Sequence, residues 1–365
     1  MDESAELALL RDQIDEIDKQ LQDLINQRAA CAQRVAEVKQ HAANGQDVQY
    51  YRPEREAQVL RAVMERNAGP LPAEDMAKLF REIMSCCLAL EKPMRVAFLG
   101  PEGTYTHAAA LKHFGHFVDT LPMAAIDEVF REVESGQANY GVVPVENSTE
   151  GMVNHTLDSF IDSRLYIAGE VKLRIHHHLL CKEPISDIKS VTRVYSHQQS
   201  LAQCRKWLDA NCPQIERVAV SSNGEAARLA MQESGAVAIA GDMAAERYGL
   251  IKSVENIEDQ PDNTTRFLII GNKVVPASGK DKTSIMVSAK NKPGALYHLL
   301  EPFHQENVSL TRIETRPSTS GTWAYVFFID FEGHLDDDKV QRVIQKVSPD
   351  VVEVKHLGSY PVGVL

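Results

Sequence analysis

The sequence predicts three consecutive domains of different class: an all-α domain over residues 1–92, an α/β domain over 94–275 and a ferredoxin-like α+β domain over 283–358. Three observations carry that division. Apolar residues recur at heptad spacing from Leu7 to Val38, the pattern changes to strand, glycine turn and helix after Pro93, and the tail runs strand, helix, two strands, helix, strand. A chain of 365 residues is too long for one small core, and its 44% hydrophobic and 25% charged composition is that of a globular protein.

The formal net charge of -12 argues against a nucleic-acid or anionic-membrane surface, so an anionic ligand has to be held by a few clustered cations. Cysteines at 31, 86, 87, 181, 204 and 212 form no CxxC pair, which leaves neither a zinc nor a disulfide framework legible and suits reduced thiols. The amino terminus, "MDESAELALLRDQIDEID", has no apolar core segment, and nowhere do about 18 apolar residues run together. The expectation is a cytoplasmic chain without a membrane span.

In the first helix the seam Leu7, Leu10, Ile14, Ile17, Leu21, Leu24, Cys31, Val35, Val38 is broken by Arg28. A guanidinium there either snorkels to an edge or meets an anion. Lys39 lies three helical turns on, about 16 Å along the axis, close enough for two long side chains to close on one small dianion. Arg11, about 25 Å before Arg28, can join such a pocket only from a second copy. A second helix follows in "RPEREAQVLRAVMERNAGP", with Pro53 at its first position and Gly69–Pro70 at its end. The third runs from about Pro72 to Glu91, with Cys87 and Leu88 inward and Glu91 one turn past Cys87. Three helices with so little core of their own predict pairing with another copy.

Arg11, Arg28, Lys39, "RPERE" and "SCCLALE" together resemble the all-helical chorismate mutase family. The resemblance implies a pericyclic rearrangement of chorismate to prephenate, in which the protein supplies orientation and charge. It implies that Arg28 and the Arg11 of a second copy hold the two carboxylates, that Lys39 and Glu91 contact the breaking ether oxygen, and that Glu56, with Arg55 beside it, meets the ring hydroxyl. Some family members carry aspartate where Arg52 stands and serine where Cys87 stands, and others carry glutamine where Glu91 stands. A carboxyl facing an ether oxygen donates a hydrogen bond only when protonated, so the mutase reaction is expected to slow as pH rises.

In the middle region "VAFLGPEGTYTHAAALKHF", "VTRVYSHQQSLAQCRKWL" and "VAVSSNGEAARLAM" each read strand, turn, helix, with capping-box spacing at Ser196/Gln199 and Ser222/Glu225. Such turns collect helix N-termini at one sheet edge, a place for carboxylates. "GPEGT" lacks a third glycine and a P-loop lysine, so no nucleotide cofactor is expected. Alternation sends "HHH" at 176–178 to opposite faces and disfavours a metal. "YGVVPVENSTEG" delivers Glu146, Asn147, Ser148 and Thr149 at a strand end, where capping is the ordinary role of the hydroxyls.

"GPEGTYTHAA", "VVPVENSTEG", "YSHQQ" and "NTTRF", in that order, resemble prephenate dehydratase. The resemblance implies two α/β lobes, with the chain crossing to the second near 172 and returning near 260, and substrate between them. It implies loss of carboxylate and ring hydroxyl from prephenate to give phenylpyruvate, carbon dioxide and water, without a cofactor or metal. The implied site residues are Glu146, Asn147, Ser148 and His177, then Ser196, His197 and Gln199, then Thr264, Thr265, Arg266 and Phe267. Thr265 would face the leaving hydroxyl, while alternation turns Thr264 and Arg266 the other way.

The tail's "GALY" and "ETRP" resemble the ACT domains of phenylalanine-regulated dehydratases. Gly294, Ala295 and Leu296, with Glu314, Thr315 and Arg316, are the implied effector contacts, and phenylalanine the implied inhibitor. The expected partners are chorismate, prephenate and phenylalanine, with the chain a homodimer or a dimer of dimers. A non-catalytic sensor of aromatic acids is the competing class, and a dehydratase whose helices only dimerise is a third reading. The retained Arg28, Lys39 and Glu56 argue against the latter.

Overall fold

The computed structural model describes residues 3–42, 49–185, 187–289, 292–317, 325–348 and 351–365. The chain opens with α1 (Glu3–Ala42), α2 (Pro53–Arg66) and α3 (Ala73–Glu91). Proline suits the start of α2 because the first helical N–H groups have no intrahelical partner. Ala36 is the one fully buried residue of α1, and Leu7, Leu10, Ile14, Ile17, Leu21 and Leu24 remain 47–60% exposed. Among the described residues of one copy nothing buries this stripe.

After Pro93 follow β1 (Arg95–Leu99), α4 (Tyr105–Phe114), β2 (Asp119–Met123), α5 (Ile126–Glu134), β3 (Tyr140–Asn147), β4 (Gly151–Met152), α6 (Asn154–Asp162) and β5 (Tyr166–Arg174). The chain then leaves this lobe for β6 (His178–Cys181), β7 (Arg193–His197), α7 (Gln198–Gln203), α8 (Arg205–Asn211), β8 (Glu216–Val220), α9 (Asn223–Gln232), β9 (Ala236–Ala240), α10 (Asp242–Tyr248) and β10 (Ile251–Val254). It returns with β11 (Thr264–Gly271). The first sheet has the order β2-β1-β3-β11-β5, with β4 paired to β3, and the second β10-β6-β9-β7-β8. Returning β11 into the centre of the first sheet sets its first residues at the seam between the lobes. There Gly224 of α9 comes so close to the turn before α4 that a Cβ would lie 2.4 Å from the Glu102 carbonyl oxygen. Arg247 closes the same seam through its ion pair with Glu102.

Caps start the helices that face this seam: Thr104 accepts from His107 N at 3.3 Å and Ser222 from Glu225 N at 3.0 Å. The expected Ser196 cap is corrected. Strand β7 runs on through His197, whose Nδ1 accepts from Gln199 N at 3.3 Å, while Ser196 Oγ donates to Ile239 O at 2.7 Å.

The last domain comprises β12 (Asp281–Ala289), α11 (Ala295–Gln305), β13 (Leu310–Pro317), β14 (Tyr325–Glu332), α12 (Asp338–Val347) and β15 (Glu353–Pro361), in the sheet order β13-β14-β12-β15. One sheet face carries α11 and α12 through Ile285, Val287, Phe327 and Ile329. The other packs Met286, Phe328, Leu357 and Tyr360 against Val143, Leu268 and Ile270 of the first lobe. The two domains share a core rather than hanging on a linker. Among the described residues no helix is long and apolar enough to cross a membrane.

Candidate active sites

A cavity of about 390 Å³ opens among α1, α2 and α3, with Arg28, Lys39, Arg55, Glu56, Cys87 and Glu91 in its wall. Glu91, the last residue of α3, has a buried Oε2 without a hydrogen-bond partner among the described residues. Burial raises its pKa, and Lys39 and Arg28, both acting on it from α1, pull it back only in part. A neutral carboxyl between two cations can donate a hydrogen bond where a carboxylate cannot. Glu56 Oε1 lies 3.3 Å from Arg81 Nε, and burial raises this carboxyl too, against the pull of Arg81. The cavity therefore offers cations for carboxylates and two carboxyls of tuned basicity. Arg11 lies exposed on α1, outside it.

The second site stands at the seam of the two lobes, where Asn147 at the end of β3 pairs with Thr265 on β11. Asn147 Nδ2 donates to Thr265 Oγ1 at 2.7 Å and to Asn263 Oδ1 at 2.9 Å. Its Oδ1 accepts from Thr149 N at 3.0 Å, Thr149 Oγ1 at 2.6 Å and Glu150 N at 3.1 Å. Those bonds fix the orientation of the amide, so Thr265 Oγ1 is an acceptor there and its own O–H is left to donate. From the second lobe Gln203, at the end of α7, accepts from Asn263 Nδ2 at 3.2 Å and contacts His177 Nε2 at 2.8 Å through the same Oε1. An acceptor at that place puts the proton of neutral His177 on Nε2, and burial lowers the pKa of this histidine. Tyr105 OH lies 2.7 Å from His177 Nδ1. The chain Tyr105, His177, Gln203, Asn263, Asn147, Thr265 thus crosses the seam.

In the last domain Gly294 caps α11 at φ +81°, a conformation that favours glycine, ahead of Ala295 and the 44% exposed Leu296. Register pairs Thr315 with Phe327, on the sheet face that carries α11.

The family models for chorismate mutase type II, prephenate dehydratase and the ACT domain match residues 10–92, 96–275 and 283–349 in turn. A bifunctional chorismate mutase/prephenate dehydratase of Stutzerimonas stutzeri is 61% identical over 366 residues, covering 100% of both chains. One from Pseudomonas aeruginosa is 60% identical with the same coverage. The chain belongs to the bifunctional chorismate mutase/prephenate dehydratase family. Among solved structures, a prephenate dehydratase from Arthrobacter aurescens in complex with L-Phe superposes with a TM-score of 0.68 at 31% identity, covering 73% of this chain and 90% of that one.

Within the dehydratase domain, several expected site residues stand elsewhere. Arg266 points away from Thr265, into the joint with the ACT domain, where it bonds Glu170 at 2.8 Å, Asp330 at 2.7 Å and Tyr360 OH at 2.9 Å. Glu146 pairs with Arg266 in register and lies on the face opposite Asn147. Phe267 is a core residue packed with Phe98 and Phe114. Ser148 Oγ accepts from Thr264 N at 2.9 Å, and Thr264 Oγ1 donates to Asp262 O at 3.3 Å, so both hydroxyls close the strand end. Ser196 ties β7 to β9, and no hydrogen bond among the described residues joins Ser196, His197 or Gln199 to Thr265.

In the ACT domain Arg316 is turned onto Asp158 of α6, at 2.6 and 2.9 Å, and Glu314 shares its face of β13, away from α11. In the mutase cavity Arg55 and Cys87 line the wall, and Arg52 is engaged with Glu54 at 2.5 Å.

Tyr105, Gln203 and Asn263 are the residues sequence reasoning passed over. Asn263 opens the quoted "NTTRF" and Tyr105 sits in "GTYTH", so the motifs themselves held the signal. Gln203 had none beyond its place near the end of a short helix.

Proposed function

We propose that the family's two reactions take place at the two sites just described, and that the ACT domain reports phenylalanine to the second. In the helical cavity chorismate's ether C–O bond breaks as the new C–C bond forms. Lys39 and protonated Glu91 donate to the oxygen that gains charge, Arg28 holds a carboxylate, and the ring hydroxyl donates to ionised Glu56. The exposed α1 stripe pairs with a second copy, whose Arg11 reaches the other carboxylate.

At the lobe seam the C–C bond to prephenate's ring carboxylate breaks, its electron pair aromatises the ring, and the ring hydroxyl leaves. Thr265 O–H donates a hydrogen bond to that hydroxyl as it leaves, and the hydroxide takes up from solvent the one proton the reaction consumes to become water, Thr265 keeping its own. The observation that carries this reading is the Asn147 Nδ2 to Thr265 Oγ1 bond at 2.7 Å, which fixes the direction of the threonine hydroxyl. Gln203 and His177 hold Asn263 and through it the amide. The Arthrobacter protein's complex with L-Phe supports phenylalanine as the effector, with Thr315, on the sheet face that carries α11, and the start of that helix as its contacts.

One assay tests the whole reading. The chain is given chorismate, then prephenate, and loss of chorismate and appearance of phenylpyruvate are followed with and without phenylalanine. Turnover of both, with phenylalanine lowering phenylpyruvate formation, is expected. Turnover of neither would leave a sensor, and turnover of prephenate alone would leave helices that only dimerise.

A further inference from the structure

The mutase cavity is not closed by the mutase domain alone. Phe114, the last residue of α4 in the dehydratase domain, forms part of its wall. One residue back, His113 Nε2 lies 3.1 Å from Tyr51 OH, and Tyr51 shares a crevice with Glu56, whose ionised form it favours. One further back, the Lys112 carbonyl accepts from Arg81 Nη1 at 2.7 Å, while Arg81 Nε faces Glu56 at 3.3 Å. Carbonyls in the last turn of a helix have no intrahelical partner and carry the negative end of its dipole, so a guanidinium is held firmly there. The side chains of Arg81 and Glu56 are only 9% and 15% exposed, so neither can reorient into water.

We propose that the last turn of α4 is a positioning element of the mutase site, Lys112 O holding Arg81 and His113 holding Tyr51 so that both fix Glu56 toward the substrate. This rests on the reading of Glu56 as the acceptor of chorismate's ring hydroxyl. In that arrangement Tyr51 O–H turns to the carboxyl, and His113 donates to the tyrosine oxygen from Nε2–H. Burial drives the pKa of His113 down to about 3, so the imidazole stays a neutral donor throughout the working range.

The groups facing Glu56 are Arg81 from α3, Tyr51 ahead of α2, and Glu170 of β5 with the chain's C-terminal segment in the crevice behind. Arg28 and Lys39 of α1 stand on the cavity side. Of these, Arg81, with its Nε 3.3 Å away, holds the carboxyl down against burial. An ionised Glu56 is required as acceptor, so mutase activity is lost as pH falls through its pKa. Removing Arg81 raises that pKa further and moves the acid limb to higher pH.

The test uses the full chain and measures mutase kcat, KM and pH profile beside dehydratase kcat and KM in the same preparation. Arg81→Met is expected to lower mutase kcat about tenfold or more and shift its acid limb upward, with Arg81→Lys recovering most of the rate. His113→Leu is expected to lower mutase kcat roughly 3- to 10-fold although no residue of the mutase domain has changed. His113→Gln, whose amide donates in place of Nε2–H, should restore it. Dehydratase constants stay unchanged in all four variants, which shows that the protein is folded. Mutase constants and profile unchanged in both Arg81→Met and His113→Leu would overturn the proposal and leave α4 as domain contact only. Glu56→Gln, run alongside, separates the two layers. A large loss there with none in the α4 variants sinks the positioning role alone, and no loss there sinks the reading of Glu56 and the proposal with it.

Discussion

Replacing Glu91 by glutamine changes one oxygen for an amide nitrogen and tests how the mutase cavity handles charge. In the unchanged chain the carboxyl is pushed upward by burial and drawn back by Lys39 and Arg28, with burial prevailing. Its Oε2 is buried without a hydrogen-bond partner among the described residues, which leaves the carboxylate poorly solvated. On the proposed reading the protonated form donates to the ether oxygen and the ionised form repels it. Mutase kcat/KM should therefore be lost as pH rises through the pKa of Glu91, which lies above the ordinary carboxyl value. One hydrogen-bond donor to a charge developing in a water-poor site is worth roughly 10²–10³ in rate, about 2.7–4 kcal/mol, and Lys39 retains part of the stabilisation on the basic side. Glutamine donates at every pH, so Glu91→Gln should hold the rate across the range where the unchanged chain declines. The assay is the initial rate of chorismate loss from pH 5 to 9. A basic limb that persists unaltered in the glutamine variant would refute the reasoning.

Three further outcomes follow from the geometry. Arg266→Met removes the cation between Glu170 and Asp330, whose pKa is held down to about 2 against burial by Arg312 and Arg266. Breaking such a buried set should destabilise the chain by about 3–5 kcal/mol, read as a lowered denaturation midpoint. Ile17→Asp with Leu21→Asp places charges in the exposed α1 stripe and should convert a dimer into monomers by sedimentation, abolishing mutase turnover while phenylpyruvate formation from prephenate persists. Gly224→Ala puts a Cβ 2.4 Å from the Glu102 carbonyl and should push the lobes apart, destabilising the chain by about 1–3 kcal/mol and lowering dehydratase kcat/KM while leaving chorismate consumption unchanged.

Local features of this chain are legible because their causes are local. Pro53 at a helix start, Ser222 with Glu225, and the alternation that separates Thr264 from Thr265 each depend on a few neighbouring residues. The Ser196 cap failed by one residue because strand pairing to β8 extends through His197, a tertiary choice that capping preference does not encode. Arg266 is adjacent to Thr265 in sequence, and alternation turns it to the other face without saying what it meets there. The acids it meets stand 96 positions before it and 64 after it, so only the packed domains reveal its place in the joint. Gln203 and Asn263, 60 residues apart, converge for the same reason. Helical periodicity places Arg28 and Lys39 on one face of α1, whereas the wall supplied by Phe114 belongs to another domain and has no local signal.

The central claim, that Thr265 donates to the departing hydroxyl, is tested most directly by comparing Thr265→Val and Thr264→Val in the full chain. Thr265→Val should abolish phenylpyruvate formation from prephenate while chorismate consumption continues at the unchanged rate, and Thr264→Val should do much less. Equal rates of phenylpyruvate formation in the two variants would contradict the assignment.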